Sequence, residues 1–169
     1  MERRKKRQLP RAALIVFFFI IAFAYMIRQP PEPRSFVTTK QFETARNLLF
    51  SYEITRYPTG VITVPPDKDT MKIGVIADPW NLYFGRIPRG EGVSASHRFV
   101  SLKNENEGAM IQLSAYGNIT PYISFSKNDF ILEKGENATV DIQFRLDDTT
   151  VLGNYSGEID VIVSRPVFW

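Results

Sequence analysis

The chain has 169 residues, a hydrophobic content of 44%, a net charge of +3 and no cysteine. The lack of cysteine excludes disulfide bonds, a cysteine nucleophile and a zinc site built from Cys and His. The first eleven residues hold six Lys/Arg and one acid, which leaves 15 basic and 17 acidic residues in the remainder. The basic character therefore belongs to the N-terminal segment, and the charge balance gives no reason to expect a nucleic-acid partner.

An uncharged run, Ala12–Ile27, follows the basic segment directly. Ten of its sixteen residues are Leu, Ile, Val or Phe, and each favours insertion into a bilayer by roughly 0.3–0.6 kcal/mol. We therefore predict a transmembrane helix over 12–27, a cytoplasmic stub over 1–11 and an extracytoplasmic remainder, according to the positive-inside rule. The predicted location is the cell membrane, with a single pass.

The same run also fits a cleavable signal peptide, because Ala22-Phe23-Ala24 places small residues at the positions that precede a cleavage site. Tyr25, Met26 and Ile27 continue the apolar run beyond that point, which favours a retained anchor. Both alternatives place the remainder of the chain outside the cytoplasm.

Two segments are predicted before the main domain. Residues 28–37 contain three prolines and form an extended linker. Residues 38–69 form an extension with a short helix over 39–49, because a capping-box pattern precedes apolar residues at helical spacing. A turn at Tyr57–Gly60 then predicts a hairpin between 50–56 and 61–64.

Residues 70–169 alternate between apolar and polar positions, which is typical of strands with one buried face. Seven or eight such strands separated by Gly, Pro and Asn predict an all-β fold, a single antiparallel β-sandwich. The alternating series are centred on Met71–Ala77, Leu82–Phe84, Val100–Leu102, Ala109–Ala115, Ile123–Phe125, Phe130–Leu132, Ala138–Leu146 and Tyr155–Val163.

Several motifs within 73–164 resemble the immunoglobulin-type domains of the ASH/MSP-like family and of bacterial and archaeal surface proteins. They are Leu82-Tyr83-Phe84-Gly85, the pair Leu102 and Asn104, Phe130-x-Leu132-x-x-Gly135 and Gly153-x-Tyr155-x-Gly157. The resemblance implies an immunoglobulin-like sandwich that acts as a spacer or binding module of a membrane-anchored surface protein, of archaeal rather than other prokaryotic origin. It implies no catalysis and no cofactor.

Candidate residues for chemistry are few. His97 is the only histidine, and no G-x-S-x-G motif accompanies it. The acidic pairs at 67–69, 105–107 and 147–148 fall in predicted turns, where carboxylates bond to nearby amides, although such loops can also hold calcium. We predict no catalytic residue, no metal site and no cofactor. Three sequons predict possible N-glycosylation at Asn118, Asn137 and Asn154.

Four aromatic residues are candidates for partner contact: Trp80, Tyr83, Phe168 and Trp169. Each also fits a packed position within the domain. The predicted function is a non-enzymatic extracytoplasmic module that contacts a protein partner or an envelope component. The alternatives are a pilus- or filament-associated protein, stator or minor subunit, whose N-terminus lacks the expected prepilin motif, and a surface glycan hydrolase, for which no facing carboxylate pair is evident.

Overall fold

The chain folds into one helix and nine strands over the residues that the computed structural model describes: 11–28, 35–65, 81–89, 94–146 and 149–167, with the backbone alone for 11–13, 24–28 and 94–100. The helix α1 is Arg11–Arg28. The strands are β1 (Gln41–Arg46), β2 (Phe50–Val64), β3 (Leu82–Pro88), β4 (Ser94–Lys103), β5 (Ala109–Gly117), β6 (Ile123–Phe125), β7 (Phe130–Leu132), β8 (Asn137–Arg145) and β9 (Gly153–Pro166), with a 3-10 turn at Thr120–Tyr122.

The strands form two sheets. A large sheet of six strands has the order β1-β2-β9-β5-β7, with β3 beside β2 on the same edge as β1. A small sheet has the order β4-β8-β6. Every ladder between described strands is antiparallel except β2–β3, which is parallel. The all-β prediction is therefore confirmed, and the parallel ladder is an exception to the predicted antiparallel arrangement.

One apolar core lies between the two sheets, because alternate residues of facing strands point inward. The large sheet contributes Ile111, Leu113, Ile159 and Val161, and the small sheet contributes Val140, Ile142 and Phe144. The ring of Phe84 lies against that of Phe144, with centroids 5.6 Å apart. We call the side of the large sheet that faces this core the inner face, and its opposite side the outer face.

The predicted helix over 39–49 is wrong, since this segment contains strand β1 and a turn. The Asn47 side chain defines the turn: its Oδ1 accepts the N–H groups of Leu49 and Phe50, at 2.9 and 2.8 Å. The turn reverses the chain so that β1 pairs with β2 along six residues. Phe42 and Leu48 stay 64% and 70% exposed, so the apolar spacing that suggested a helix buries no common face.

The predicted hairpin at 57–60 is also wrong, since β2 runs unbroken through Pro58. The Val167 N–H donates to the Leu49 carbonyl at 2.8 Å, and the register then places odd-numbered residues of β2 in hydrogen-bonded pairs with β9. The nitrogen of Pro58 consequently faces the other edge. There β1 pairing ends at Arg56 and β3 pairing begins at Thr59, so the missing N–H interrupts no ladder.

The remaining strand predictions divide into two groups. The seven series from Leu82 onward are confirmed as β3 to β9. The series at 71–77 lies outside the described residues. Within the described part of the chain, no helix combines the length and the apolar character needed to cross a membrane.

Strands β5 and β9 approach each other closely at Gly117 and Gly157, which face each other in the ladder. A substitution at Gly157 tests this close approach. A Cβ at Gly157 would overlap the Tyr116 carbonyl oxygen and lie 2.9 Å from a methyl of Ile119. We expect Gly157→Ala to lower the free energy of unfolding by on the order of 3 kcal/mol, measured by urea unfolding and circular dichroism. Gly135→Ala, with φ of +82° but open space, should cost only about 1 kcal/mol. Equal losses would contradict this packing.

Candidate functional site: a buried ionic cluster on the outer face

Three charged residues are buried on the outer face of the large sheet. Arg56 of β2 is 7% exposed, and Glu158 and Asp160 of β9 are 0% and 3% exposed. Arg56 lies directly opposite Asp160 in the β2–β9 register, and Glu158 lies opposite Pro58. Charged side chains are almost never fully buried unless they are paired, so this cluster is the most unusual chemical feature of the described residues.

The guanidinium of Arg56 binds two carboxylates. Its Nε donates to Glu158 Oε1 at 2.8 Å, and its Nη2 donates to Glu158 Oε2 at 3.0 Å. This parallel pair of hydrogen bonds is the strongest geometry for an Arg–carboxylate contact. Nη1 donates to Oε1 of Glu43, which reaches across from β1, at 2.6 Å. The cluster therefore links three strands of the large sheet.

The same two groups also bind the segment that precedes β1. Glu158 Oε2 accepts the N–H of Val37 at 2.8 Å, and Arg56 Nη2 donates to the carbonyl of Ser35 at 2.6 Å. Val37 is itself buried. The incoming chain is therefore held against the outer face by a buried ion pair, which acts as a clamp on residues 35–37.

Protonation balances the charge of this cluster. Burial, then the hydrogen bond and the negative charge of Glu158, raise the pKa of Asp160 to about 8. Burial opposes the charge of Arg56, but hydrogen bonds and charges from Glu158 and Glu43 outweigh it and raise the pKa of the guanidinium. At neutral pH the Asp160 carboxyl is therefore neutral, and it adds no further negative charge beside the Arg56–Glu158 contact.

The geometry suits a structural role rather than a catalytic one. Glu158 and Asp160 form a carboxyl pair of the kind that acid–base catalysis uses, but a catalytic group must reach its substrate. Both side chains are buried, and Glu158 already accepts bonds from Arg56 and Val37. Among the described residues, no group of three or more His, Cys, Asp or Glu is arranged to hold a metal ion.

The residues singled out from the sequence lie apart from this cluster. Tyr83 is 46% exposed and its ring covers Gly60, where a Cβ would lie 2.9 Å from Cε1. Trp80, Phe168 and Trp169 lie outside the described residues. His97 lies in β4, in the part described by its backbone alone. Of the acidic pairs, Glu105 and Glu107 are exposed, and those at 67–69 and 147–148 lie outside the described residues.

The three sequon asparagines, Asn118, Asn137 and Asn154, are all exposed. Asn118 lies in the turn after β5, and its Oδ1 accepts the Ser156 N–H at 2.7 Å. Asn137 begins β8 and Asn154 lies near the start of β9. Their positions meet the surface requirement for glycosylation, which remains a prediction.

None of the residues of the ionic cluster was predicted from the sequence as a functional or structural site. Glu158 and Asp160 alternate with Ile159 and Val161, and this pattern predicts a solvent-facing side for the two acids. A period of two shows which side chains share a face, but it does not show whether that face is covered. The pairing of Arg56 with Glu158 joins residues 102 positions apart, so no local signal could have found it.

Comparisons with protein-family models, with curated proteins and with solved structures found no match to this chain.

Removal of the buried anion tests the clamp. We expect Glu158→Gln to lower the free energy of unfolding by about 3–5 kcal/mol, because it leaves the buried Arg56 guanidinium with a single charged partner, the partly exposed Glu43. Glu53→Gln is the matched control, since Glu53 pairs with Arg165 at 2.7 Å on the partly exposed inner side of the same sheet. Its loss should be below about 1 kcal/mol. Urea unfolding measures both, and similar losses would contradict a stabilising role for the buried pair.

The raised pKa of Asp160 predicts a pH dependence of stability. Between the ordinary value of 3.8 and about 8, the folded chain keeps a proton that the unfolded chain has released. The free energy of unfolding should therefore fall as the pH rises through this window. Asp160→Asn keeps a neutral side chain at every pH, so it should remove this part of the fall. Identical pH profiles of the two proteins would show that Asp160 does not titrate as described.

Proposed function

We propose that the chain is a non-enzymatic, membrane-anchored extracytoplasmic module with an immunoglobulin-like sandwich, which binds a protein partner or an envelope component. The anchor is α1, and the two-sheet domain carries the binding surfaces. The proposal identifies a role and a location rather than a reaction. It is carried by the surface of α1, and the fold and the exposed sequons add independent support.

The exposed apolar surface of α1 is the observation that carries the proposal. Every large side chain from Leu14 to Phe23 is Leu, Ile, Val or Phe, and each is between 47% and 72% exposed. Such a continuous apolar surface is unfavourable in water and favourable in lipid. Eighteen helical residues rise about 27 Å, which is short of the roughly 30 Å of a hydrocarbon core and agrees with the finding above that no helix in the described part of the chain meets the requirements of a spanning helix. The proposed anchor therefore needs local thinning of the bilayer to match α1.

The structural roles of the motif residues support the immunoglobulin-like assignment. Leu82 and Phe84 point into the core, and Gly85 has φ of +79°, in the region that favours glycine. Asn104 is buried, and its Nδ2 donates to the carbonyls of Leu132 and Glu107, at 2.7 and 3.0 Å. These roles are those of a fold signature, in which turns and inner faces are specified and no chemistry is.

The clamp on residues 35–37 adds a mechanical element to this function. In the proposed arrangement, it fixes the sandwich to the chain that leaves the membrane, so that a short connector separates the domain from the anchor. The three exposed sequons are consistent with the same extracytoplasmic location.

Cysteine labelling tests the topology without background, because the chain has no cysteine. We expect Lys134→Cys, in the exposed turn between β7 and β8, to react with a membrane-impermeant maleimide on intact cells. Gln8→Cys, in the basic segment, should react only after lysis. Both proteins should stay in the membrane fraction after an alkaline carbonate wash. Protection of Lys134→Cys until lysis would overturn the proposed location.

The mass of the mature chain distinguishes an anchor from a signal peptide. The intact protein, purified from membranes, should retain residues 1–27. A mass that corresponds to a chain beginning near residue 25 would show cleavage after Ala24. The mature protein would then be released rather than anchored. Affinity purification from detergent-solubilised membranes then identifies any protein partner that co-purifies with the chain. Recovery of the chain with wall or surface-layer material would favour the envelope role.

A further inference from the structure

The outer edge of β1 carries backbone groups with no described pairing partner. Residues Gln41, Glu43 and Ala45 face Arg56, Ile54 and Tyr52 of β2, and the next pair in this series is joined by the Asn47 N–H and the Phe50 carbonyl at 2.9 Å.

In an antiparallel ladder, the N–H and C=O groups of alternate residues point to opposite sides. Those of Phe42, Thr44 and Arg46 therefore point away from β2. All three residues are exposed, so this edge is accessible to a further strand.

We propose that β1 pairs with β1 of a second copy of this chain, antiparallel and about a two-fold axis at Thr44, so that the two large sheets become continuous. The proposal deepens the proposed function, because it rests on two chains being anchored in one membrane. It identifies the partner of this edge as the same protein, and the interaction as strand addition supported by a polar and aromatic side-chain contact.

Charge selects the register of this pairing. With the axis at Thr44, the five residues 42–46 of β1 overlap with the same five of the second copy, so that Glu43 faces Ala45 and Phe42 faces Arg46. An axis at Glu43 would oppose two carboxylates, and an axis at Arg46 would oppose two guanidinium groups, both of which are unfavourable. The chosen register also places a guanidinium beside the exposed ring of Phe42, a favourable cation–π pair.

The clamp on residues 35–37 explains why a second copy suits this edge. A two-fold axis perpendicular to the sheet keeps the outer faces of both copies on the same side. Ser35 and Val37 are bound on the outer face by Arg56 and Glu158, so both chains enter their domains from that side. Two anchors in one bilayer are therefore compatible with β1–β1 pairing without release of either connector.

Disulfide cross-linking of the full chain in native membranes tests the contact. Thr44 would face its own copy in a hydrogen-bonded pair, with Cα atoms about 5.5 Å apart, within the range that a disulfide spans. We expect Thr44→Cys to form a covalent dimer under mild oxidation. Ile131→Cys is the control, because Ile131 is 67% exposed on β7, at the opposite edge of the same sheet. It should stay mostly monomeric, and equal cross-linking of both variants would overturn the proposal.

Removal of one outward N–H gives an independent test in detergent solution. Thr44→Pro removes a donor that points away from β2, so it should leave the β1–β2 ladder intact and weaken dimerisation at least tenfold, about 1.4 kcal/mol. Thr44→Ala keeps the donor and should dimerise like the parent chain. Sedimentation measures the dimer, and urea unfolding verifies that the proline variant is folded.

A second variant tests the same contact without a change to the backbone of β1, in case the proline disturbs that strand. Phe42→Lys keeps every backbone group and places an ammonium opposite Arg46 of the second copy, so it should also weaken dimerisation at least tenfold. A parent chain that is monomeric in both membranes and detergent would overturn the proposal, as would pairing of this edge with a different protein. The labelling of Lys134→Cys decides the location separately, so a failed dimer and a failed topology give different results.

Discussion

The long antiparallel ladder between β2 and β9 holds the core and the outer face of the domain together. It joins Phe50–Thr63 to Gly153–Pro166 through fourteen residue pairs and brings together segments about a hundred positions apart. Its odd-numbered residues include Val61, Ile159 and Val161 of the core, and its even-numbered residues include Ile54, Arg56, Glu158, Asp160 and Ile162 of the outer face. Without this pairing, neither the core nor the ionic cluster would form, because each draws on both strands.

The position of the ladder also explains why a charged cluster is buried in a domain with a sufficient apolar core. The centre of β9 is covered on both faces, from Gly157 to Ile162. A strand with two covered faces normally carries apolar residues throughout. Here the outer face carries carboxyl groups instead, and their burial is offset by Arg56, by the Val37 N–H and by a raised pKa of Asp160. Replacement of such a pair by apolar residues can preserve stability, so its presence favours a role in orienting the connector.

Strand prediction succeeded where apolar and polar residues alternate along the chain and one face of the strand is buried. The series in β5 and β8 led directly to their core residues, and the glycine and asparagine positions predicted the turns between the later strands. Prediction failed in 38–69, where local signals were strong but wrong. The capping-box pattern and the apolar spacing of 39–49 fit a helix, and Pro58 with Gly60 fit a turn, yet pairing with β9 and β1 outweighed both. Local propensity is weak compared with a long ladder of backbone hydrogen bonds.

The order of the later strands, the residues of their inner faces and the separation of a basic, apolar N-terminus from an acidic remainder could all be predicted from the sequence. These properties depend on spacing and composition, which are local. The three-dimensional fold was needed to show that Arg56 meets Glu158 and Asp160, that residues 35–37 are held on the outer face and that β1 forms an accessible edge. Each of these depends on which distant strands become neighbours, and a period of two contains no information about the partner of a strand or about what covers its second face.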